Sequence, residues 1–259
     1  MALGTEMLAR AGVEDPAADA RALLAHAASL GELESALALF ERRSAREPLA
    51  YIVGTCRFCG LELMVDPRVL IPTEHRTGTL VTAALDVARG ARVHEVGTGC
   101  GAIALAVKAA RPDLVVTASD ISSDAIEVAR ENGRRLQIDV ELSQADGLPA
   151  GGFDLVLANL PYTDSAQVTQ QLPPEQTRFQ PGVALWAGGD SLALIRRLIQ
   201  QAPKGTRLAL EHAPHHTDEL YALLDDATTL RDARGHERVT VGSAPAARAA
   251  TPVPGDNRL

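Results

Sequence analysis

A chain of 259 residues with 46% hydrophobic side chains can bury a large core, which excludes global disorder. Its net charge of -8 at pH 7, with no Lys/Arg run longer than a pair, argues against non-specific binding to nucleic acid, which depends on cations neutralising phosphates. No apolar run approaches the roughly 20 residues that span a bilayer, the N-terminus lacks signal-peptide features, and three cysteines make no disulfide framework, so a cytoplasmic protein is expected.

Residues 1–47 predict helices. Asp15 is placed to cap a helix with Pro16 at its first position, and Ala20, Leu23, Leu24 and Ala27 follow at helical spacing. A second helix, E-L-E-S-A-L-A-L-F-E-R-R, closes near Glu47-Pro48, where proline blocks further helix. Y-I-V-G-T-C-R-F-C-G-L-E-L-M-V-D then reads as short β-like runs broken by Gly54 and Gly60, a hairpin connector within residues 48–77. Cys56 and Cys59 form an isolated C-x-x-C whose sulfurs would alternate across a strand, so no metal site is predicted.

From about residue 78 to 243, strands alternate with helices. A-R-V-H-E-V, L-V-V-T-A-S-D, D-V-E-L-S-Q-A-D, F-D-L-V-L-A-N, T-R-L-A-L-E-H and R-V-T-V-G read as strands. A-I-A-L-A-V-K-A-A, S-S-D-A-I-E-V-A-R-E-N-G-R-R-L, D-S-L-A-L-I-R-R-L-I-Q-Q-A and D-E-L-Y-A-L-L-D-D read as helices between them. This order predicts an α/β fold: a Rossmann-like, doubly wound, mostly parallel sheet covered on both faces. The Ala/Pro-rich tail, residues 244–259, predicts disorder.

The first of these strands runs into E-V-G-T-G-C-G-A, where Gly97, Gly99 and Gly101 permit a tight turn and close approach of a ligand to the backbone. Gly97, Gly99 and Ala102 also satisfy the dinucleotide fingerprint, with Asp120 where a ribose-binding acid belongs, so these residues alone leave the ligand open. Asp120 ends the second strand, Asp146 the third and Asn159 the fourth, and all should converge on the crevice at the carboxyl ends of the strands. Each has a plainer alternative. Asp120 could cap the next helix, as Ser122 or Ser123 could; Asp146 could be a turn residue before Gly147; Glu95 could contact a cofactor amine or form an ion pair at the strand end.

Asn159 opens N-L-P-Y at the end of a buried run, where an unpaired amide costs roughly 1–3 kcal/mol. Pro161 forces Leu160 to be extended and fixes the direction of its carbonyl. The Asn159 side-chain oxygen and that carbonyl are then two adjacent acceptors suited to the hydrogens of a planar –NH2, with the Tyr162 ring as an aromatic face. Such a grip aims a nitrogen at an activated methyl group, and the protein supplies orientation and exclusion of water rather than a nucleophile.

E-V-G-T-G-C-G, the acid at the second strand end and N-L-P-Y together resemble a class I S-adenosylmethionine-dependent methyltransferase acting on nitrogen. A-G-V-E-D-P-A-A-D-A-R-A-L-L-A-H, R-R-S-A-R-E-P-L-A-Y-I-V-G, V-D-P-R-V-L-I-P, A-L-W-A-G-G-D-S-L, L-A-L-E-H and R-D-A-R-G-H-E-R-V-T-V-G resemble the release-factor glutamine methyltransferases, the PrmC/HemK family. The resemblance covers nearly the whole chain in order. It implies that the helical N-terminal domain and the hairpin dock a peptide-chain release factor, and that Asn159, Leu160, Pro161 and Tyr162 form the catalytic loop holding a glutamine amide. It also implies an S-adenosyl-L-methionine site at Glu95, Gly97, Thr98, Gly99, Gly101, Asp120, Ile121, Asp146, Gly147 and Asn159, and N5-methylglutamine as product.

Two departures stand on the substrate side. Leu160 replaces the first proline of the family's N-P-P-Y, a form shared with ribosomal-RNA adenine dimethylases. Thr73-Glu74-His75-Arg76-Thr77-Gly78 replaces R-P-x-T-E and is one residue longer, with Arg76 as a candidate for the missing arginine. A small-molecule or nucleobase acceptor on the same fold, or a non-catalytic nucleotide-binding protein, are the alternatives. His212, His215 and His216 are expected in a solvated loop, and Trp186 either as packing for the helix that follows it or at the border of the site.

Overall fold

The computed structural model describes residues 1–31, 36–163, 172–186 and 189–246. Three helices open the chain, α1 (Ala2–Arg10), α2 (Pro16–Ser29) and α3 (Ala36–Ser44). The Asp15 side chain accepts from Ala18 N at 2.9 Å and caps α2, with Pro16 in the first turn. The first residues of the second expected helix, 32–35, lie outside the described residues. Leu8, Val13, Ala20, Leu23 and Phe40 form a small core that also takes in Ile52. Ile52 belongs to a short helix, α4 (Leu49–Val53), which corrects the β-like expectation for Tyr51–Val53. Pro48 sits just before its first turn and Gly54, at φ +77°, ends it.

β1 (Thr55–Phe58) and β2 (Leu61–Met64) form the expected hairpin, paired from Thr55↔Met64 to Phe58↔Leu61. Cys59 lies in its turn at φ +47°, and burial lifts the thiols of both Cys56 and Cys59 to about 11. Residues 74–85 form a helix, α5 (Glu74–Leu85), that the local pattern did not announce. Its first turns carry Thr and Gly, which are weak helix formers; burial of Thr77, Leu80, Val81 and Ala84 supplies the stability instead. Residue 77 therefore lies inside a helix rather than at the end of a connector.

The sheet has seven strands in the order β5-β4-β3-β6-β7-β9-β8. β3 (Arg92–Val96), β4 (Val115–Asp120), β5 (Glu141–Gln144), β6 (Leu155–Ala158) and β7 (Arg207–Glu211) are parallel, and β9 (Glu237–Ser243) and β8 (Asp225–Arg231) add an antiparallel edge. α6 (Ala102–Ala110), α7 (Ser123–Leu136), α8 (Pro174–Phe179), α9 (Gly182–Leu185), α10 (Ala193–Gln201) and α11 (Thr217–Leu223) are the further α-helices among the described residues. The helix expected over 218–226 stops at Leu223, and Asp225 already pairs with Ser243. Ala244, expected in a disordered tail, is buried and exchanges backbone hydrogen bonds with Gly205 and Thr206; residues 247–259 lie outside the described residues.

β3 lies between β4 and β6, so the chain leaves it in opposite directions. That switch point opens a crevice at the carboxyl ends of these strands. Two tethers frame it. The buried Asn132 of α7 accepts from Met64 N at 2.7 Å and donates to the carbonyls of Met64 and Cys100 at 2.9 Å each, tying the hairpin to the glycine loop. Glu175 of α8 receives Arg43 at 3.0 Å and Arg46 at 2.7 Å, tying the N-terminal helices to the segment beyond N-L-P-Y.

Candidate functional site

A cavity of about 400 Å³ fills the crevice. Glu95, Gly97, Thr98, Gly99, Asp120, Ile121, Asp146, Gly147, Asn159, Leu160 and Pro161 all border it; for the glycine loop, Asp120, Asp146 and Asn159 this is the convergence expected of strand ends at the crevice. Gly101 and Tyr162 are not among its lining residues.

The glycine loop leaves β3 with left-handed φ at Gly97 (+76°), Gly99 (+53°) and Gly101 (+84°). A Cβ at Gly99 would meet nothing within 4 Å, so its backbone faces open space on the cavity side. At Gly101 a Cβ would stand 3.1 Å from Leu105 and 3.2 Å from Ala129. Gly101 therefore serves close packing of α6 on α7.

Asp120 does not cap α7; the Ser122 hydroxyl does, accepting from Ala125 N at 3.3 Å. Asp120 instead accepts from Gly99 N and Ser122 N at 2.9 Å each, one bond per oxygen. A carboxylate has about four acceptor positions, so capacity remains for hydroxyl donors in the cavity. Ile121 beside it is 52% exposed, an uncovered apolar surface for a planar ring. Asp146 is turned to Arg197 at 2.8 Å, and that bond lowers its pKa.

Glu95 forms no ion pair among the described residues. It is buried and accepts from Thr98 Oγ1 at 2.7 Å and Ala104 N at 2.9 Å. Desolvation outweighs both bonds and lifts its pKa to about 8. A cationic amine placed beside it would restore the charge.

Asn159 follows β6 directly, and its Nδ2 points to Thr77 Oγ1 at 3.5 Å, which turns Oδ1 away from α5. Leu160 packs over Gly97, where an added Cβ would stand 3.0 Å from Leu160 Cδ2. The Tyr162 hydroxyl donates to Glu211 Oε1 at 3.3 Å instead of presenting its ring to the cavity. Burial, followed by the Glu211 charge, lifts that phenol to about 12. Glu211 is 2% exposed, and burial raises its pKa against the pull of Thr77, Arg76, Arg238 and Tyr162.

Sequence reasoning passed over Glu211, although L-A-L-E-H ends an apolar run on an acid as conspicuously as F-D-L-V-L-A-N ends one on an amide, and it named Thr77 only as part of the altered 73–78 segment. Trp186, for which packing or the border of the site were the two expectations, borders the cavity. His212 and His216 are buried rather than solvated: His212 bonds Thr240 Oγ1 at 2.8 Å and His216 bonds Ser191 Oγ at 3.0 Å, while His215 is exposed. Their loop is packed against β9 and the start of α10, which the polar composition concealed.

The fold and the strand-end crevice define a methyltransferase, and the "Methyltransferase small domain" family matches residues 74–204. A release factor glutamine methyltransferase of Deinococcus radiodurans is 36% identical over 247 residues, covering 86% of this chain and 88% of its own. Another, from Vibrio cholerae, is 36% identical over 275 residues, covering 92% and 93%. The chain belongs to the release factor glutamine methyltransferase family. In fold it is similar to a methyltransferase from Pyrococcus furiosus, with a TM-score of 0.50 and 18% identity over 72% of this chain and 90% of that one.

Proposed function

We propose that this protein transfers a methyl group from S-adenosyl-L-methionine to the side-chain nitrogen of a glutamine in a peptide-chain release factor. The observation that carries this is the placement of Asn159 and Leu160 on the rim of the glycine-loop cavity, with the Asn159 amide nitrogen turned to Thr77.

The residues present fit the cofactor. Carboxyl groups of Glu95 and Asp120 line the glycine loop, and the guanidiniums of Arg68 and Arg197 at the cavity are paired with Asp66 and Asp146. Such a lining suits a cationic ligand with ribose hydroxyls better than a pyrophosphate. Glu95 would face its amine, Asp120 its hydroxyls and Ile121 its ring, and the left-handed glycines keep the loop free of side chains. S-adenosyl-L-methionine supplies a methyl group already activated on sulfur.

What the chain itself contributes is then orientation. Asn159 Oδ1 and the Leu160 carbonyl accept the two amide hydrogens of the glutamine, which aims the nitrogen into the cavity and requires no nucleophile from the protein. The apolar wall of Leu160, Pro161 and Trp186 keeps water away from the transfer. The helical domain of residues 1–47 and the hairpin within 48–77 would dock the release factor, with the domain of residues 78–243 carrying the chemistry and the cytoplasm as the compartment. The test is Asn159→Ala with a release factor as acceptor: transfer should disappear while calorimetry returns a cofactor Kd within about threefold of the parent, under 1 kcal/mol. Loss of both would make Asn159 a structural residue.

A further inference from the structure

Pro181, Val183, Ala184 and Trp186 line the cavity, and all belong to a strap of two short helices, α8 and α9, within residues 172–186. Trp186 forms a parallel bridge with Thr163, the residue after N-L-P-Y, so the strap ends beside the acceptor loop. Burial does little to hold it. α8 has six residues and buries none of them, α9 has four and buries Leu185 alone, and Phe179 is only partly buried against the main core. Helices of one or two turns are not stable by themselves, so the strap needs an anchor.

Glu175 is placed to be that anchor. Its Oε1 accepts from Arg43 Nη1 at 3.0 Å and Arg46 Nε at 2.7 Å, and its Oε2 from Arg46 Nη2 at 2.7 Å. Charge-assisted, forked bonds of this kind are strong and fix geometry. Both arginines belong to the N-terminal domain and are themselves held there. Arg43 is 6% exposed and donates Nε to Asp19 of α2 at 2.7 Å. Arg46 donates Nη1 to the Ala11 carbonyl at 3.2 Å, from a left-handed backbone at φ +70°. That conformation is unfavourable for any residue but glycine, so the fork on Glu175 is kept against a local cost. No described residue of 1–47 lines the cavity, yet through Glu175 this domain reaches the cavity wall.

We propose that Glu175 is a positioning residue: held by Arg43 and Arg46, it sets the place of the strap and with it the apolar wall of Val183, Ala184 and Trp186 at the transfer site. The N-terminal helices are then part of the architecture of the reaction as well as a docking platform. The consequence for transfer rests on the proposed reading of the cavity as cofactor and acceptor site; the coupling of strap to N-terminal domain does not.

Trp186 is the single tryptophan of the chain, so its fluorescence reports the end of the strap. The experiment compares the full chain with Glu175→Gln, Arg46→Lys and, as a control, Arg42→Gln, whose guanidinium pairs with Glu47 instead. Trp186 is 37% exposed while the strap is held, so in Glu175→Gln its acrylamide quenching constant should rise roughly twofold, with emission moving to longer wavelength. Arg46→Lys keeps the charge but loses the fork and should move both in the same direction by less. Arg42→Gln should keep the parent's values. With S-adenosyl-L-methionine and saturating release factor, where weaker docking shows in KM instead, kcat of Glu175→Gln should fall roughly tenfold. Parental quenching in Glu175→Gln, an equal rise in Arg42→Gln, or a raised KM with parental kcat would each overturn the proposal. Should Glu175→Gln fail to fold, Arg46→Lys against Arg42→Gln decides. Absence of transfer by the parent protein would instead strike the reading of the acceptor, and the quenching comparison would still decide the coupling.

Discussion

Glu95→Gln separates what the Glu95 carboxyl does for binding from what its burial costs. In the folded chain the group sits near pKa 8 because burial penalises its charge; in the unfolded chain a glutamic acid titrates near about 4.3. The folded state therefore holds a proton that the unfolded state has released, and stability falls as pH rises from the lower value through 8. Between pH 6 and pH 8 this one group should remove about 2 kcal/mol from the parent protein, at 1.36 kcal/mol per unit less the partial ionisation near the midpoint. Gln is uncharged and its oxygen can still accept from Thr98 and Ala104, so the variant escapes that loss. Urea denaturation of both proteins without cofactor, at pH 6 and pH 8, reads the difference directly, since every other titrating group cancels. The variant should gain on the parent by that amount across the interval. A difference independent of pH would mean that Glu95 ionises normally and would refute the reasoning. Calorimetry should show the opposite preference for cofactor: the variant binds more weakly, and the gap widens from pH 6 towards pH 8 as the parent's Glu95 ionises.

Asn132→Ala should cost about 2–4 kcal/mol in denaturant unfolding, because Met64 N, Met64 O and Cys100 O all lose their partner; a loss under about 1 kcal/mol would show that water replaces them freely. Gly99→Ala should lower stability by only about 1 kcal/mol for its left-handed backbone. The same methyl would enter the cavity, so cofactor affinity should fall at least roughly tenfold. An unchanged affinity would place the ligand elsewhere.

Elements with regular alternation and clear punctuation were legible. β3, α6, β4, α7 and β6 are apolar runs or amphipathic helices separated by glycines and polar turns; their strand ends pointed to the glycine loop, Asp120, Asp146 and Asn159 at the cavity, and the family resemblance named the others that border it, such as Thr98, Ile121 and Gly147. α5 escaped because His75, Thr77 and Gly78 have weak helical preference and are made helical by packing on the sheet. β8 escaped because D-D-A-T-T-L-R is polar, has a left-handed Asp226 at φ +51° as its second residue, and pairs on one side only. At the site, sequence placed Tyr162 in the right loop but gave it the wrong role. Its hydroxyl turns inwards to Glu211, a partner distant in sequence that no local pattern announces. Gly101 was grouped with the ligand-facing glycines because spacing alone does not distinguish a glycine that meets a ligand from one that meets a neighbouring helix.

Everything proposed for the Asn159 loop turns on the identity of the acceptor, which labelling can read at the level of a single residue. A release factor incubated with this protein and methyl-labelled S-adenosyl-L-methionine is digested and the labelled residue located by mass spectrometry. The expected result is one added methyl group on the side-chain nitrogen of a single glutamine, absent when the Asn159→Ala variant is used. Label on another residue type, or an unlabelled release factor under conditions where the protein binds the cofactor, would contradict it.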